Sequence, residues 1–165
     1  MTYNIDPILK KLPGHTSMLK EMVMEMIQQG RYGTCNKSQR VAAIYSPIRK
    51  NYILATNSPP LPFKCLQNDN CKKNCSKLAV HAEERAILKA SKCGFMPKEG
   101  LHCFHLKIKN NVPVISGNPS CIYCSRKLLE YGIDCVWLWQ EKGWKSWQAK
   151  SFHNETIKNI GLYDE

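Results

Sequence analysis

The sequence has no long apolar run and few acidic residues. No stretch approaches the ~20 apolar residues of a membrane-spanning helix, and the first residues lack the apolar core of a secretory signal. We therefore expect a soluble, cytoplasmic protein with no membrane partner. Asp and Glu together number 13 against 24 Lys and Arg, for a formal net charge of +11. This charge suits an anionic partner such as a nucleotide or a nucleic acid, although scattered lysines are also typical of a solvated surface.

A disulfide framework is not expected either. The chain has nine cysteines, an odd number, and no secretion signal, so metal ligands or free thiols are the better interpretation. The length of 165 residues and the hydrophobic content of 43% are sufficient for one packed core. No internal repeat or low-complexity segment divides the chain. We expect a single domain over residues 1–165.

Hydrophobic periodicity predicts an α/β protein. Helical spacing indicates helices over 16–30, 81–94 and 121–131, and a last amphipathic stretch over 152–160. Short β-branched, aromatic or alternating segments indicate strands over 41–45, 52–56, 101–108 and 133–139. Residues 57–74 are rich in Pro, Asn and Lys without periodicity, which predicts a long loop.

The starts of two predicted helices carry the residues with metal chemistry. His81 opens one helix, and Cys121 and Cys124 open the next. Cysteines three residues apart in a first helical turn face the same side, where a histidine from a neighbouring helix can join them. Three protein ligands of this kind are typical of a catalytic zinc site, whose fourth position is left for water. The sequence therefore predicts a zinc cofactor held by these three side chains.

Glu83 follows the histidine by two residues and is not needed as a ligand. Zinc lowers the pKa of bound water to ~7, and a carboxylate beside that water can take its proton and pass it on. Glu83 is therefore the candidate catalytic acid and base. Each element alone is weak evidence, and a plain zinc or thiol site is the alternative.

The order His-Ala-Glu and then Pro-Ser-Cys-Ile-Tyr-Cys resembles the H-x-E and P-C-x-x-C signature of zinc deaminases. From about residue 41 to 139 the chain resembles the cytidine and deoxycytidylate deaminase superfamily. The resemblance implies a three-layer α/β/α fold around a mixed sheet, and a homo-oligomer. It also implies hydrolysis at C4 of cytosine with Glu83 protonating N3 and the departing amine. Backbone groups near Ala82 and Ser120 would hold the pyrimidine edge.

Within that superfamily, the long cysteine-bearing segment before His81 looks most like the deoxycytidylate deaminases, so dCMP is the expected substrate. Asn57 would then contact the sugar hydroxyl, or else it is only a turn residue after a strand. The resemblance also implies a second, structural zinc, with free thiols as the alternative. Its four candidate ligands are Cys35, Cys65, Cys71 and Cys75.

Two departures from the family pattern bear on the substrate. Ser120 separates Pro119 from Cys121, and residues 110–118 form an insertion that could reshape the pocket. One alternative is therefore a deaminase of cytosine or adenine in single-stranded DNA or RNA, bound by basic charge and stacking aromatics. The aromatics in question are Trp137, Trp139, Trp144 and Trp147. Another alternative is a non-catalytic zinc-binding module, against which Glu83 argues.

Overall fold

The computed structural model describes residues 6–13, 16–35 and 37–162. The strands of the sheet are β1 (Gln39–Ser46), β2 (Asn51–Thr56), β3 (His102–Lys109), β4 (Val112–Val114), β5 (Cys135–Gln140) and β6 (Gly143–Gln148). The helices are α1 (Asp6–Lys10), α2 (Ser17–Arg31), α3 (Asp69–Leu78), α4 (Ala82–Lys92), α5 (Ile122–Tyr131) and α6 (Ala149–Asn159). Within the described ranges, none of these helices has the length and apolar character needed to cross a membrane.

The sheet is mixed and has six strands. Its main order is β2-β1-β3-β5-β6, and β4 pairs with the far end of β3. Strand β1 is antiparallel to both β2 and β3, whereas β3 and β5 are parallel and are joined by a connection that contains α5. The parallel pair needs such a crossover because a tight turn cannot join parallel strands.

Helices cover both faces of the sheet, so the expected three-layer α/β/α architecture is confirmed. Alternate side chains along each strand point to opposite faces. On β1, Ala42 and Ile44 pack under α4, while Val41 and Ala43 pack against α1 and α2. On β3, Phe104 and Leu106 face α2. The two buried clusters therefore lie on opposite sides of one sheet.

The predicted strands and the three predicted helices are present, with ends that differ by one to a few residues. The prediction of a long loop over residues 57–74 is wrong from residue 69 onward, because α3 begins at Asp69. Asn68 caps that helix by accepting a hydrogen bond from the Cys71 backbone N–H at 2.8 Å. The helix is polar and largely exposed, and the residues that repeat at helical spacing in it are two cysteines and one leucine, Cys71, Cys75 and Leu78, which the sequence analysis did not take as an apolar face.

Elements α1, β4 and β6 were not predicted. Strand β4 lies in the inserted segment and turns back onto β3 through Asn110 and Asn111, both with positive φ. Asparagine tolerates this left-handed conformation, and two such residues form the turn that tight hairpins favour. The insertion is therefore a short hairpin that continues the sheet.

The tryptophans belong to the packing of the sheet. Trp139 and Trp147 are buried, and Trp137 stacks on Phe104 with ring centroids 5.6 Å apart. Trp144 meets Phe104 edge to face at 5.4 Å. Aromatic faces engaged in this way are not available to stack on exposed bases, so these residues do not support a single-strand binding surface.

Phe104 lies at the centre of this aromatic cluster and is fully buried. We expect Phe104→Ala to lower the free energy of unfolding by about 3–5 kcal/mol, because it removes a large side chain and leaves a cavity. Urea unfolding of the two proteins measures the difference. The control is Leu88→Ala on the exposed side of α4, where Leu88 is 54% exposed and a change within about 0.5 kcal/mol is expected. Equal losses in the two variants would contradict this account of the core.

Candidate active site

His81, Cys121 and Cys124 lie together at one end of the sheet. The His81 Nδ1 atom is 3.0 Å from Cys124 Sγ and 3.3 Å from Cys121 Sγ, and the two sulfur atoms are 3.2 Å apart. Among the residues that the structure describes, this is the one set of three or more potential ligands whose donor atoms all lie within 4.8 Å. The predicted ligand trio therefore shares one small volume.

Two helix starts position these side chains. His81 is the N-cap residue of α4, and Cys121 is the N-cap residue of α5, both with extended backbone conformations. Cys121 Sγ accepts the backbone N–H of Cys124 at 3.4 Å, as an N-cap side chain does. Because the positive ends of two helix dipoles meet here, the site favours thiolate over thiol.

The charge on the two cysteines reflects this geometry. Hydrogen bonding with Cys124 lowers the pKa of the Cys121 thiol, burial opposes this, and a hydrogen bond with His81 adds to the lowering. The resulting pKa is about 5. The pKa of Cys124 is raised, chiefly because its own thiol takes part in that hydrogen bond. The pair therefore shares one proton, which a thiolate-binding metal would displace.

Glu83 lies in the first turn of α4, two residues after His81. Its side chain is 15% exposed. Burial raises its pKa, but His105, its own backbone N–H, His81 and Arg40 outweigh burial, so the net pKa is below the ordinary value. Glu83 is therefore a carboxylate at neutral pH and is able to accept a proton.

The pocket beside the trio has a volume of about 230 Å³. His81, Glu83, Ser120 and Cys121 line it. The cationic residues Lys37 and Arg40 line it as well, and the charge of Arg40 acts on Glu83. The remaining lining residues are Cys35, Ser38, Asn57, Cys75 and Ala79. One cavity therefore contacts potential metal ligands, a carboxylate and two positive side chains.

Asn57, Ala82 and Ser120 occupy different positions relative to this pocket. Asn57 lines it, but its amide is also engaged in structure: Nδ2 donates to the Ser38 carbonyl and Oδ1 accepts the Arg40 backbone N–H, both at 2.8 Å. Each amide atom retains capacity for one more hydrogen bond. Ser120 lines the pocket. Ala82 is the first residue of α4, and its side chain is fully buried in the core.

His105 is a site residue that the sequence analysis missed. It lies on β3, and its Nε2 is 3.8 Å from Glu83 Oε1. Burial lowers the pKa of His105, and the charge of Glu83 only partly opposes this. The prediction of strand over 101–108 placed His105 in the sheet, but no local pattern indicates which residue of another element lies above it.

The four other candidate cysteines form two pairs. Cys35 Sγ is 3.7 Å from Cys75 Sγ, and Cys65 Sγ is 3.3 Å from Cys71 Sγ. All four line one cavity of about 510 Å³ together with apolar residues of the 59–79 segment. Burial, with the hydrogen bond to Cys35, raises the pKa of Cys75 to about 11.

Solved structures with the same fold are deaminases. Cytidine deaminase from Burkholderia pseudomallei superposes with a TM-score of 0.53 at 15% identity, over 80% of this chain and 94% of that one. The dCMP deaminase of cyanophage S-TIM5 in complex with dCMP and dUMP gives 0.54 at 18% identity, over 73% and 80%. No protein-family model and no curated protein matches the chain. The chain has the cytidine deaminase fold.

If the trio holds zinc, His81→Ala should remove one equivalent of zinc per chain, because two remaining ligands cannot form the site. Elemental analysis of the purified, dialysed proteins measures this loss. Cys93→Ser is the matched control, since Cys93 is exposed and lies at the other end of α4. Retention of the full zinc content by His81→Ala would contradict the assignment.

Proposed function

We propose that this protein is a zinc-dependent hydrolytic deaminase that converts a cytosine nucleotide, with dCMP as the preferred substrate, to the uracil form and ammonia. The observation that carries the proposal is the meeting of His81, Cys121 and Cys124, with Glu83 in the pocket that His81 and Cys121 also line. The fold supports it, because the structures that share it are cytidine and dCMP deaminases.

The donor set fits zinc. One imidazole nitrogen and two thiol sulfurs are ligands that zinc prefers, and three protein ligands leave a position for a reacting group. Zinc bonds of ~2.0 Å to nitrogen and ~2.3 Å to sulfur separate tetrahedral ligand atoms by roughly 3.5–3.8 Å. The three atoms are 3.0 to 3.3 Å apart here, so shifts of a few tenths of an ångström complete the geometry. When bound, zinc supplies Lewis acidity and a water molecule of lowered pKa.

Glu83 moves the protons in this proposal. Its carboxylate is ionised and borders the pocket, so it can accept a proton from water. It then delivers that proton to N3 of the pyrimidine, and it passes the second proton of water to the amine that leaves C4. Water thus supplies the new oxygen of uracil, the proton on N3 and the one proton that completes ammonia. One carboxylate acts as base and then as acid.

The pocket favours a nucleotide. Lys37 and Arg40 place two positive charges on the cavity that His81 and Asn57 also line. We assign the sugar hydroxyl to Asn57, the pyrimidine edge to backbone groups near Ala82 and Ser120, and the 5′-phosphate to the two cations. The S-TIM5 deaminase that shares the fold was solved with dCMP and dUMP. Assembly into a homo-oligomer stays a prediction from the family resemblance.

Replacing Glu83 by Gln should abolish the proton transfer while the ligand trio stays intact. We expect kcat for dCMP to fall by about 10²- to 10⁴-fold, the usual contribution of general acid and base catalysis. Uracil formation is measured for dCMP, CMP, deoxycytidine, cytidine and a cytosine-containing oligonucleotide, together with zinc content.

The matched control for that variant is Glu84→Gln, because Glu84 is its neighbour on α4 and pairs instead with Lys127 on α5. Turnover of dCMP by wild type and Glu84→Gln, but not by zinc-loaded Glu83→Gln, is the expected result. Conversion of the oligonucleotide alone would show that the substrate is single-stranded nucleic acid and not a free nucleotide. Bound zinc without turnover of any of the five compounds would contradict the proposed substrate class.

We also propose that Cys35, Cys65, Cys71 and Cys75 bind a second, structural zinc. Support comes from the two sulfur pairs at 3.7 and 3.3 Å on one cavity, since four sulfur ligands form closed structural sites. No three of these sulfurs, all in the described part of the chain, lie within 4.8 Å of one another, so the two pairs would have to approach each other on binding. Such a site would tie α3 to the residues that precede β1. The alternative is four free thiols.

Removing one member of each cysteine pair tests this second site. The Cys65→Ser, Cys75→Ser double variant should contain one zinc per chain against two in wild type, and the zinc that is left should depend on His81. Cys93→Ser again serves as the control. One zinc per chain in both wild type and the double variant would establish free thiols.

A further inference from the structure

A buried histidine lies directly under the proposed catalytic carboxylate. The face of the sheet beneath α4 is otherwise apolar, with Ala42, Ile44 and Cys103 around it. His105 interrupts that face and is only 3% exposed. Histidine is seldom fully buried without a specific partner, so its environment requires an explanation.

The two ring nitrogens of His105 differ in their surroundings. Nε2 is buried and has no hydrogen-bond partner in the described part of the chain, and it lies 3.8 Å from Glu83 Oε1. Nδ1 is 3.2 Å from the Ser116 hydroxyl. One nitrogen is therefore held by a polar neighbour, while the other points towards a carboxylate just beyond hydrogen-bond distance.

Ser116 belongs to the segment inserted between β3 and α5. Its backbone N–H donates to the Trp139 carbonyl at 2.9 Å, which fixes the segment against β5. Its hydroxyl also lies 3.3 Å from the His105 carbonyl, a second acceptor that competes with Nδ1. The insertion thus reaches the catalytic carboxylate indirectly, through one serine and one histidine.

We propose that His105 is a positioning residue that donates Nε2–H to Glu83 Oε1, in the tautomer that the facing carboxylate selects, and that the Ser116 hydroxyl then donates to Nδ1 rather than to the His105 carbonyl. The inference rests on the proposed function of Glu83. It assigns to the inserted segment, residues 110–118, a role in orienting Glu83 that the metal ligands do not have.

Electrostatics favours this tautomer. The buried imidazole is neutral, because burial lowers its pKa, and a neutral ring carries one N–H. The Glu83 carboxylate can only accept hydrogen bonds, so an unprotonated Nε2 would face it with lone pair against lone pair. With the proton on Nε2, Nδ1 is the acceptor for Ser116.

The arrangement fixes one oxygen of the carboxylate and leaves the other for proton transfer in the pocket. The distance of 3.8 Å shortens to a hydrogen bond with a small rotation of Glu83, and contacts of this kind are often long until substrate is bound. Because His105 is not among the residues that line the pocket, its loss should affect kcat rather than KM.

Three substitutions at one position separate this role from simple packing. Gln places an amide N–H at the same bond count from Cβ as Nε2, whereas Asn reaches only the position of Nδ1. Leu supplies neither donor. We expect kcat to fall roughly 10- to 100-fold in His105→Leu and His105→Asn, the loss that follows removal of a hydrogen bond to a charged group. KM should change less than about twofold, and His105→Gln should recover most of kcat.

Ser116→Ala provides a variant in an accessible loop in case changes inside the sheet impair folding. It should retain zinc and thermal stability but lose a few-fold in kcat, because Nδ1 loses the hydrogen-bond donor that supports the Nε2–H tautomer. Equal kcat in the Leu, Asn and Gln variants at full zinc content would overturn the proposal, as would a wild-type kcat in all three.

Nitrogen-15 NMR of histidine-labelled, zinc-loaded protein tests the tautomer without any assay of activity. The chain has five histidines, and comparison with His105→Gln identifies the signal of His105. A pyrrole-type Nε2 and a pyridine-type Nδ1 are expected, and Nε2 should shift in Glu83→Gln. The opposite tautomer, or no response to Glu83→Gln, would contradict the positioning role. Should wild type convert no cytosine compound while these shifts are present, the proposed function fails and the His105 geometry stands.

Discussion

The site depends on the placement of two helix N-termini at the same end of one sheet. Thr56 at the end of β2 and Leu106 near the end of β3 both pair with Val41 at the start of β1, so β2 and β3 end on the same side. Helix α4 follows β2 in the chain, and α5 follows β3. The parallel pairing of β3 and β5 requires α5 to cross back over the sheet. His81 and Cys121 therefore begin their helices side by side.

That placement has chemical consequences. Two dipole ends favour the Cys121 thiolate, and the one proton that the Cys121 and Cys124 sulfurs share is the proton that a metal would displace. The same start of α4 directs Glu83 into the cavity that contains Lys37 and Arg40. In the proposed function, metal ligation and proton transfer thus depend on the starts of α4 and α5, which the sheet holds in position.

Much of the fold and the ligand trio could be predicted from sequence because their signals are local. The helix that bears His81 has apolar periodicity, and the two cysteines have helical spacing. In the exposed helix α3 the pattern is limited to Cys71, Cys75 and Leu78, and β4 is too short to show one. His105 and Ser116 are close only because β3, α4 and the inserted hairpin meet in space. No pattern within a single segment of the sequence indicates such a contact between distant residues.

X-ray absorption at the zinc edge of the Cys65→Ser, Cys75→Ser variant is the most direct test, because only the proposed catalytic metal should remain in it. The account predicts two sulfur neighbours at about 2.3 Å and two lighter neighbours at about 2.0 Å, from His81, the two cysteines and one exchangeable group. A shell of three or four sulfurs, or no zinc, would contradict the central claim that His81, Cys121 and Cys124 form an open metal site.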